Sequence, residues 1–151
     1  MNSLIQLLKQ HDCSLVVRDK FGSVTTYHQK GVRDLIALLD NAAHPLDKAS
    51  VADKVVGRAA AALMARGGVK CVWAEVMSRQ AVPFLQAAGI TYGCAHQVER
   101  IVQCQGDDCC PLEEITQSAQ TAEEAERLLR THFEQRRLQR NKTAKPQHTN
   151  L

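Results

Sequence analysis

Two short constellations hold the side chains best suited to chemistry. The first is Ser50-Val51-Ala52-Asp53-Lys54 with Gly57 close behind. Read as the start of a helix, Ser50 is the cap and Asp53 sits in the first turn near the positive end of the dipole. Capping alone accounts for both residues. Lys54 is harder to explain, because a cation in that turn opposes the dipole, and an anionic ligand or a paired carboxylate would resolve the conflict. Free N–H groups at a helix start bind phosphate or carboxylate, so Ser50, Asp53 and Lys54 form a candidate anion site. A glycine inside a helix costs about 1 kcal/mol, so Gly57 points to close packing or ligand approach.

The second constellation is Cys104-Gln-Gly-Asp-Asp-Cys-Cys-Pro-Leu-Glu, ending at Glu113. Three thiols in seven residues suggest metal, yet Cys109 and Cys110 are adjacent and the spacing fits poorly with the C-x2-C pairs of structural zinc. No metal or other cofactor is therefore expected. Cys110, just before Pro111 at the start of a helical turn, is a candidate nucleophilic or redox thiol. A buried loop of inert cysteines is the plain alternative. Glu75 stands inside the apolar run CVWAEVMS, where a lone charge is expensive unless paired, and Lys54 is one possible partner. Ser78 and Arg79 mark the carboxyl end of that run, where α/β sheets place their ligands. His28, His44 and His96 show no ligand spacing.

The elements that must position these residues follow from periodicity. Ser3 to His11 reads as a short amphipathic helix with Ser3 as cap, and Ser14–Asp19 with Val24–His28 as a hairpin around Lys20–Ser23. VRDLIALLD places Val32, Leu35, Ile36 and Leu39 on one helical face. Ser50 to Arg66, rich in alanine, reads as one buried helix closed by Gly67-Gly68. Val69–Val76 is a near-continuous apolar strand, Gln80–Ala88 a short helix, and Ile90–Cys94 and Val98–Cys104 two further strands. The rhythm is that of an α/β fold, a mixed sheet sandwiched by helices.

Composition bounds the rest. The 151 residues are 44% hydrophobic and 23% charged, which suits one globular domain. No run of about 18 apolar residues offers a membrane span, and the N-terminus turns polar too soon for a secretory signal. Six scattered cysteines then read as reduced thiols in a cytoplasmic protein. Residues 1–120 carry 12 Lys and Arg against 12 Asp and Glu, while 121–151 carry 7 against 4, so the whole net charge of +3 lies in the tail. With only 4% aromatic residues, the body lacks the stacking surface of a nucleic-acid binder, although the tail could meet nucleic acid or an acidic partner. Thr121–Leu138 reads as a solvated helix with a Thr121/Glu124 capping box, and Leu128, Leu129 and Phe133 as a short stripe that would orient a partner. This gives a body of residues 1–118, a solvated helix over 119–140 and a disordered tail over 141–151. On that division, deleting residues 121–151 leaves the body folded.

SVADKVVGRAAAALMARGGVKCVWAEVMS, together with LVVRD…GVRDLIALLD and CCPLE, resembles an uncharacterised bacterial family, domain of unknown function 1893. The resemblance covers about Ser14 to Glu113, with the tail outside it. It implies a three-layer cytidine-deaminase-like fold in which the helix beginning near Ser50 corresponds to the one carrying the first zinc ligand. Active deaminases use H-x-E at that helix and P-C-x-x-C at the next, because zinc needs three protein ligands and the glutamate moves protons to and from the bound water. This chain has Asp53-Lys54-Val55 in the first place and MSRQAVPFL in the second, so zinc-dependent deamination is not expected. What remains is a fold that takes a small anionic or nucleotide-like ligand, bound by Ser50, Asp53, Lys54, Gly57, Glu75, Ser78 and Glu113. Lys54 and Cys110 are the candidate catalytic groups should a reaction occur. The alternative is a non-catalytic regulatory or scaffold module docking a partner through its basic tail, and a homodimer is left open.

Overall fold

The computed structural model describes residues 1–29, 32–101 and 112–144. Helix α1 (Asn2–Gln10) is followed by strands β1 (Leu15–Arg18) and β2 (Val24–Tyr27), helix α2 (Arg33–Asp40), strand β3 (Ser50–Val56) and helix α3 (Arg58–Gly67). Strand β4 (Cys71–Ser78), a 3-10 turn at Arg79–Ala81, helix α4 (Val82–Ala87), strand β5 (Thr91–Val98), and helices α5 (Leu112–Thr116) and α6 (Ala122–Ala144) complete the order. The five strands form one sheet in the order β2-β1-β3-β4-β5, with β1 antiparallel to both neighbours and β3, β4 and β5 parallel.

The hairpin forms where the sequence places it. Asp19 turns the chain by accepting bonds from the N–H groups of Phe21 (2.9 Å) and Ser23 (3.0 Å), and Gly22 takes the left-handed φ of 92° that the turn requires. Helix α1 is capped by Met1 without a side-chain bond, so Ser3 lies within its first turn instead of capping it.

The main correction concerns residues 50–66. They do not form one helix: Ser50–Val56 is a central strand, and the helix begins at Arg58 after Gly57. Val51, Val55 and Val56 are β-branched and favour the strand, while Arg58–Gly67 holds the alanines that favour the helix. β3 lies between β1 and β4 with helices over both faces, so its polar and apolar residues show no simple alternation. Asp53 and Lys54 therefore stand on a strand, and the dipole conflict inferred for Lys54 does not arise. Thr91–Val98 is one strand that runs past the end expected at Cys94; of the further strand expected over Val98–Cys104, residues 99–101 are not strand and 102–104 lie outside the described residues.

The large core lies on one face of the sheet, beneath α2, α3 and α4, with α5 and α6 packed against α3. Alanines at 59 to 62, all nearly or fully buried, let α3 lie close to its neighbours. A small core of Leu4, Leu8, Cys13, Val16 and Ala52 joins α1 to the other face, with Trp73 at its margin. Both central strands shift their pattern in step. Val51 and Val56 face the large core, as do Val72, Ala74 and Met77, so alternation slips by one residue at Lys54 and at Glu75.

Helix α6 is not solvated all round: Ala125 and Leu129 are fully buried in the large core, with Leu128 and Phe133 packed against it. The stripe assigned to a partner is thus turned onto the chain's own body. α6 also extends to Ala144, past the end expected at Leu138. At its start, Thr121 Oγ1 accepts the Glu124 N–H (3.1 Å), whereas the Glu124 carboxylate reaches back to the N–H of Gln120 (3.2 Å).

Candidate functional site

The sheet divides the residues singled out from sequence into separate places. Ser50 lies at the amino end of β3, where its hydroxyl accepts a bond from the Cys71 thiol (3.3 Å). Lys54 and Glu75 stand at equivalent positions of β3 and β4 on the face carrying α1, and Glu75 is exposed. No ion pair of 4.0 Å or less joins them among the described residues. Gly57, Ser78 and Glu113 gather at the carboxyl ends of β3 and β4. Cys104, Cys109 and Cys110 lie outside the described residues.

At the amino end of α3 the helix has no side-chain cap of its own. Glu113 supplies one from 55 residues away: its Oε1 accepts the Arg58 N–H (3.2 Å) and its Oε2 accepts the Ile101 N–H (2.7 Å). The carboxylate is buried, and the position favours an anion through both the dipole and the free N–H groups. Gly57 makes room for it, since a Cβ there would lie 3.1 Å from Glu113 Oε1 and 3.2 Å from Ile101 Cγ1. The anion site expected at Ser50, Asp53 and Lys54 has no helix start to form on; the helix start lies at Gly57–Arg58, and there the chain's own Glu113 occupies the position.

Arg58, which sequence reasoning passed over, braces the same corner. Its Nε donates to the Thr116 carbonyl (2.8 Å), its Nη2 to the Ala119 carbonyl, and its guanidinium lies 4.5 Å over the Phe84 ring. Ser78 is fully buried at the end of β4, accepting the Gln80 N–H (3.1 Å). A charged residue directly after a glycine at the head of an alanine helix was the available signal for Arg58.

Asp53 belongs to a different cluster. It lies in a cross-strand row of Tyr27, Leu15, Asp53, Ala74 and Cys94 on the face of the large core. Its Oδ1 accepts the Val55 N–H (3.3 Å), filling the gap in the ladder where the strand pattern slips. Burial pushes its carboxyl from the ordinary 3.8 up to about 7, backbone N–H groups of Val55 and Lys54 hold it back, and the nearby Asp34 charge raises it further. Asp34, in the first turn of α2, is itself buried and accepts the Gln29 N–H (3.0 Å). The Tyr27 hydroxyl is also pushed up, first by burial, with a smaller contribution from Asp34. No cation pairs with Asp53 within 4.0 Å among the described residues. Asp34 and Tyr27 were not selected from sequence, because only the tertiary fold brings Asp34 of α2 near both Asp53 and Tyr27.

Among the described residues, no three His, Cys, Asp or Glu side chains are placed to hold a metal ion, and no helix is long and apolar enough to cross a membrane. The architecture and this corner define an α/β protein with a five-stranded mixed sheet, a carboxylate-capped helix at the ends of its parallel strands and a buried aspartate beside them. The chain belongs to the family described as TM1506, domain of unknown function DUF1893, whose model matches residues 3–133. The family pattern thus begins before Ser14 and continues past Glu113 into α6. A crystal structure of a DUF1893 family protein from Thermotoga maritima superposes with a TM-score of 0.75 at 21% identity, covering 87% of this chain and 88% of that one. That likeness is one of fold. No curated protein matches the chain.

Proposed function

We propose that this cytoplasmic chain is a binding protein on a cytidine-deaminase-like fold, which takes a small ligand of nucleobase or nucleoside type without zinc-dependent deamination. The sheet order and the helix that follows β3 support the likeness of fold. In that fold the first zinc-ligand helix would be α3, whose start here is Gly57-Arg58-Ala59, and the second would follow Ser78-Arg79-Gln80. Neither offers a zinc ligand, and Glu113 stands at the first of them.

The observation that carries the reading is Asp53: a buried carboxyl with a value near neutrality, coupled to a second buried carboxylate, Asp34, on the strand that leads to the carboxyl-end corner. In its protonated form, which a value near 7 keeps within reach at neutral pH, the carboxyl donates through O–H and accepts through its other oxygen, which matches the paired acceptor and donor of an amidine edge such as that of cytosine or adenine. Asp53 and Asp34 together disfavour an anion, so of the two ligand classes suggested by sequence, the neutral nucleobase-like one fits this site. Lys54, on the opposite face, has no part in it.

Cytosine, cytidine and adenosine at millimolar concentration, followed by thermal shift at pH 7, test the proposal. At least one should raise the melting temperature of wild type and of Lys54→Ala but not of Asp53→Asn. Failure of all three, or a shift that survives in Asp53→Asn, overturns it. Zinc content is a separate prediction: elemental analysis after mild purification should find well under one equivalent. One equivalent of zinc that disappears when Cys109 and Cys110 are replaced by serine contradicts this.

A further inference from the structure

The two edges of the sheet are unequal. At one end of the strand order β2 is four residues long, and at the other β5 runs for eight, TYGCAHQV. An open edge offers unpaired N–H and C=O groups to any strand that meets it, and chains guard such edges by keeping them short or with lysine, proline or a bulge. The β2 edge is guarded by its length. β5 has none of these protections: it contains no Pro, Lys, Arg, Asp or Glu, and it follows β4 in one register from Thr91 to Val98 with no inserted residue. The N–H of Thr91 points inward to the Lys70 carbonyl (3.2 Å), so Tyr92 and Cys94 turn theirs outward, where no further strand lies among the described residues. Tyr92 near one end of β5 and Val98 at the other are each 37% exposed.

The character of the strand selects what can close this edge. β5 presents no charge that a charged partner strand could read, so main-chain pairing with another neutral strand is the contact it suits. A second copy of β5 is such a strand. When two copies meet antiparallel about a twofold axis, outward N–H and C=O groups of each find partners on the other, and no like charges within the strands are set face to face. The antiparallel sense also brings the end that carries Tyr92 to the partner's end that carries Val98, so the exposed apolar side chains of both ends gain cover. Both long edges are then used up at once. What remains at the two outer ends of the joined sheet is the short β2 edge. We infer that the β5 edge is a self-association surface, at which two copies of this chain pair antiparallel and join their sheets into one. This contact is independent of the Asp53 site.

Sedimentation velocity of the full chain from about 1 to about 200 µM, with hydrogen exchange of the segment 91–98 measured at both ends of that range, tests the inference. A reversible monomer–dimer equilibrium is expected, with amides of 91–98 exchanging several-fold more slowly at the high concentration than at the low one. Ala95→Lys combined with Gln97→Lys, both at exposed positions, sets like charges across the paired strands. It should raise the dimer dissociation constant at least about tenfold while leaving the circular dichroism spectrum unchanged. If the double variant loses that spectrum, Ala95→Lys alone carries the comparison, with a rise of about threefold expected. Thr25→Lys, which places the same charge on the exposed part of β2, should leave the equilibrium as it is. The inference is overturned if the chain is still monomeric at the highest concentration, or if the β5 variants dimerise as well as wild type. It is equally overturned if Thr25→Lys weakens the dimer as much as they do, which would move the contact to the β2 edge. A monomer in which 91–98 exchanges slowly at every concentration would mean that another part of the same chain covers the edge. Assemblies that grow beyond a dimer would mean an open-ended contact in place of a twofold one, and either result rejects the inference.

Discussion

Asp53 gives the protein a characteristic dependence on pH. Its carboxyl is raised from 3.8 to about 7 by burial, so the folded state holds a proton that the unfolded chain releases near pH 4. Between about pH 4 and pH 7 the folded state therefore binds more protons, and the contribution of this group falls as pH rises, by up to about 1.4 kcal/mol per unit. Above pH 7 the loss is complete and levels off. Asp53→Asn keeps the size and an acceptor for the Val55 N–H while removing the charge. Its melting temperature should exceed that of wild type at pH 8, and the difference should vanish as pH falls toward 4. Parallel thermal melts from pH 4 to 8 check this, and superposable pH profiles would mean that the Asp53 charge is balanced in the folded state. Glu113 matters for stability through its hydrogen bonds, because its two oxygens satisfy two backbone donors. Glu113→Ala leaves both without that partner and should cost roughly 2–3 kcal/mol in urea unfolding, with Glu113→Gln milder.

The junction of β3 and α3 depends on the absence of a side chain at residue 57. Gly57 has φ −97° and ψ −170°, a backbone that any residue adopts, so its role is steric. In Gly57→Ala the Glu113 carboxylate or Ile101 must give way by a few tenths of an ångström, and a loss of about 1 kcal/mol is expected. In a Glu113→Ala background much of that loss should disappear, and a double-mutant cycle by urea unfolding measures the coupling. Strict additivity would show that the two residues do not press on each other. The same junction marks how far the sequence could be read. The hairpin, α2 and β4 carry patterns that local propensity and burial both favour, and they form where those patterns lie. Residues 50–56 do not, because a central strand covered on both faces loses its alternation, and the adjoining alanines extend a helical reading across Gly57. Once Ser50, Asp53 and Lys54 were placed on a helix, they appeared as neighbours; on a strand, successive side chains point to opposite faces. Gly57 and Glu113 were both selected from sequence and do meet. Their relation was hidden, since a carboxylate 55 residues away leaves no local sign that it caps a helix.

Across the whole molecule, α6 decides whether the body is complete without its basic end. Taken by itself, Thr121 to Leu138 has acids near its start, arginines after them and few apolar positions, which is the pattern of a solvated helix. Those few positions are the ones used: Ala125 and Leu129 are fully buried against the large core, and Leu128 and Phe133 add partial cover. Ion pairs run from Arg66 through Glu126 and Arg130 to Asp40, joining α3, α6 and α2. They are partly exposed, so each is worth at most about 1 kcal/mol, whereas burying a leucine is worth about 1.5–3 kcal/mol. Packing should therefore dominate, and removal of α6 should cost on the order of 5 kcal/mol, comparable with the whole stability of a small domain. A chain ending at residue 120 should consequently melt at least about ten degrees below the intact protein, or fail to give a cooperative transition at all. Raising salt to 0.5 M should shift the intact protein far less than this truncation does, because screening touches only the ion pairs. If residues 1–120 instead melt within a few degrees of the full chain, α6 is an appendage resting on a finished body.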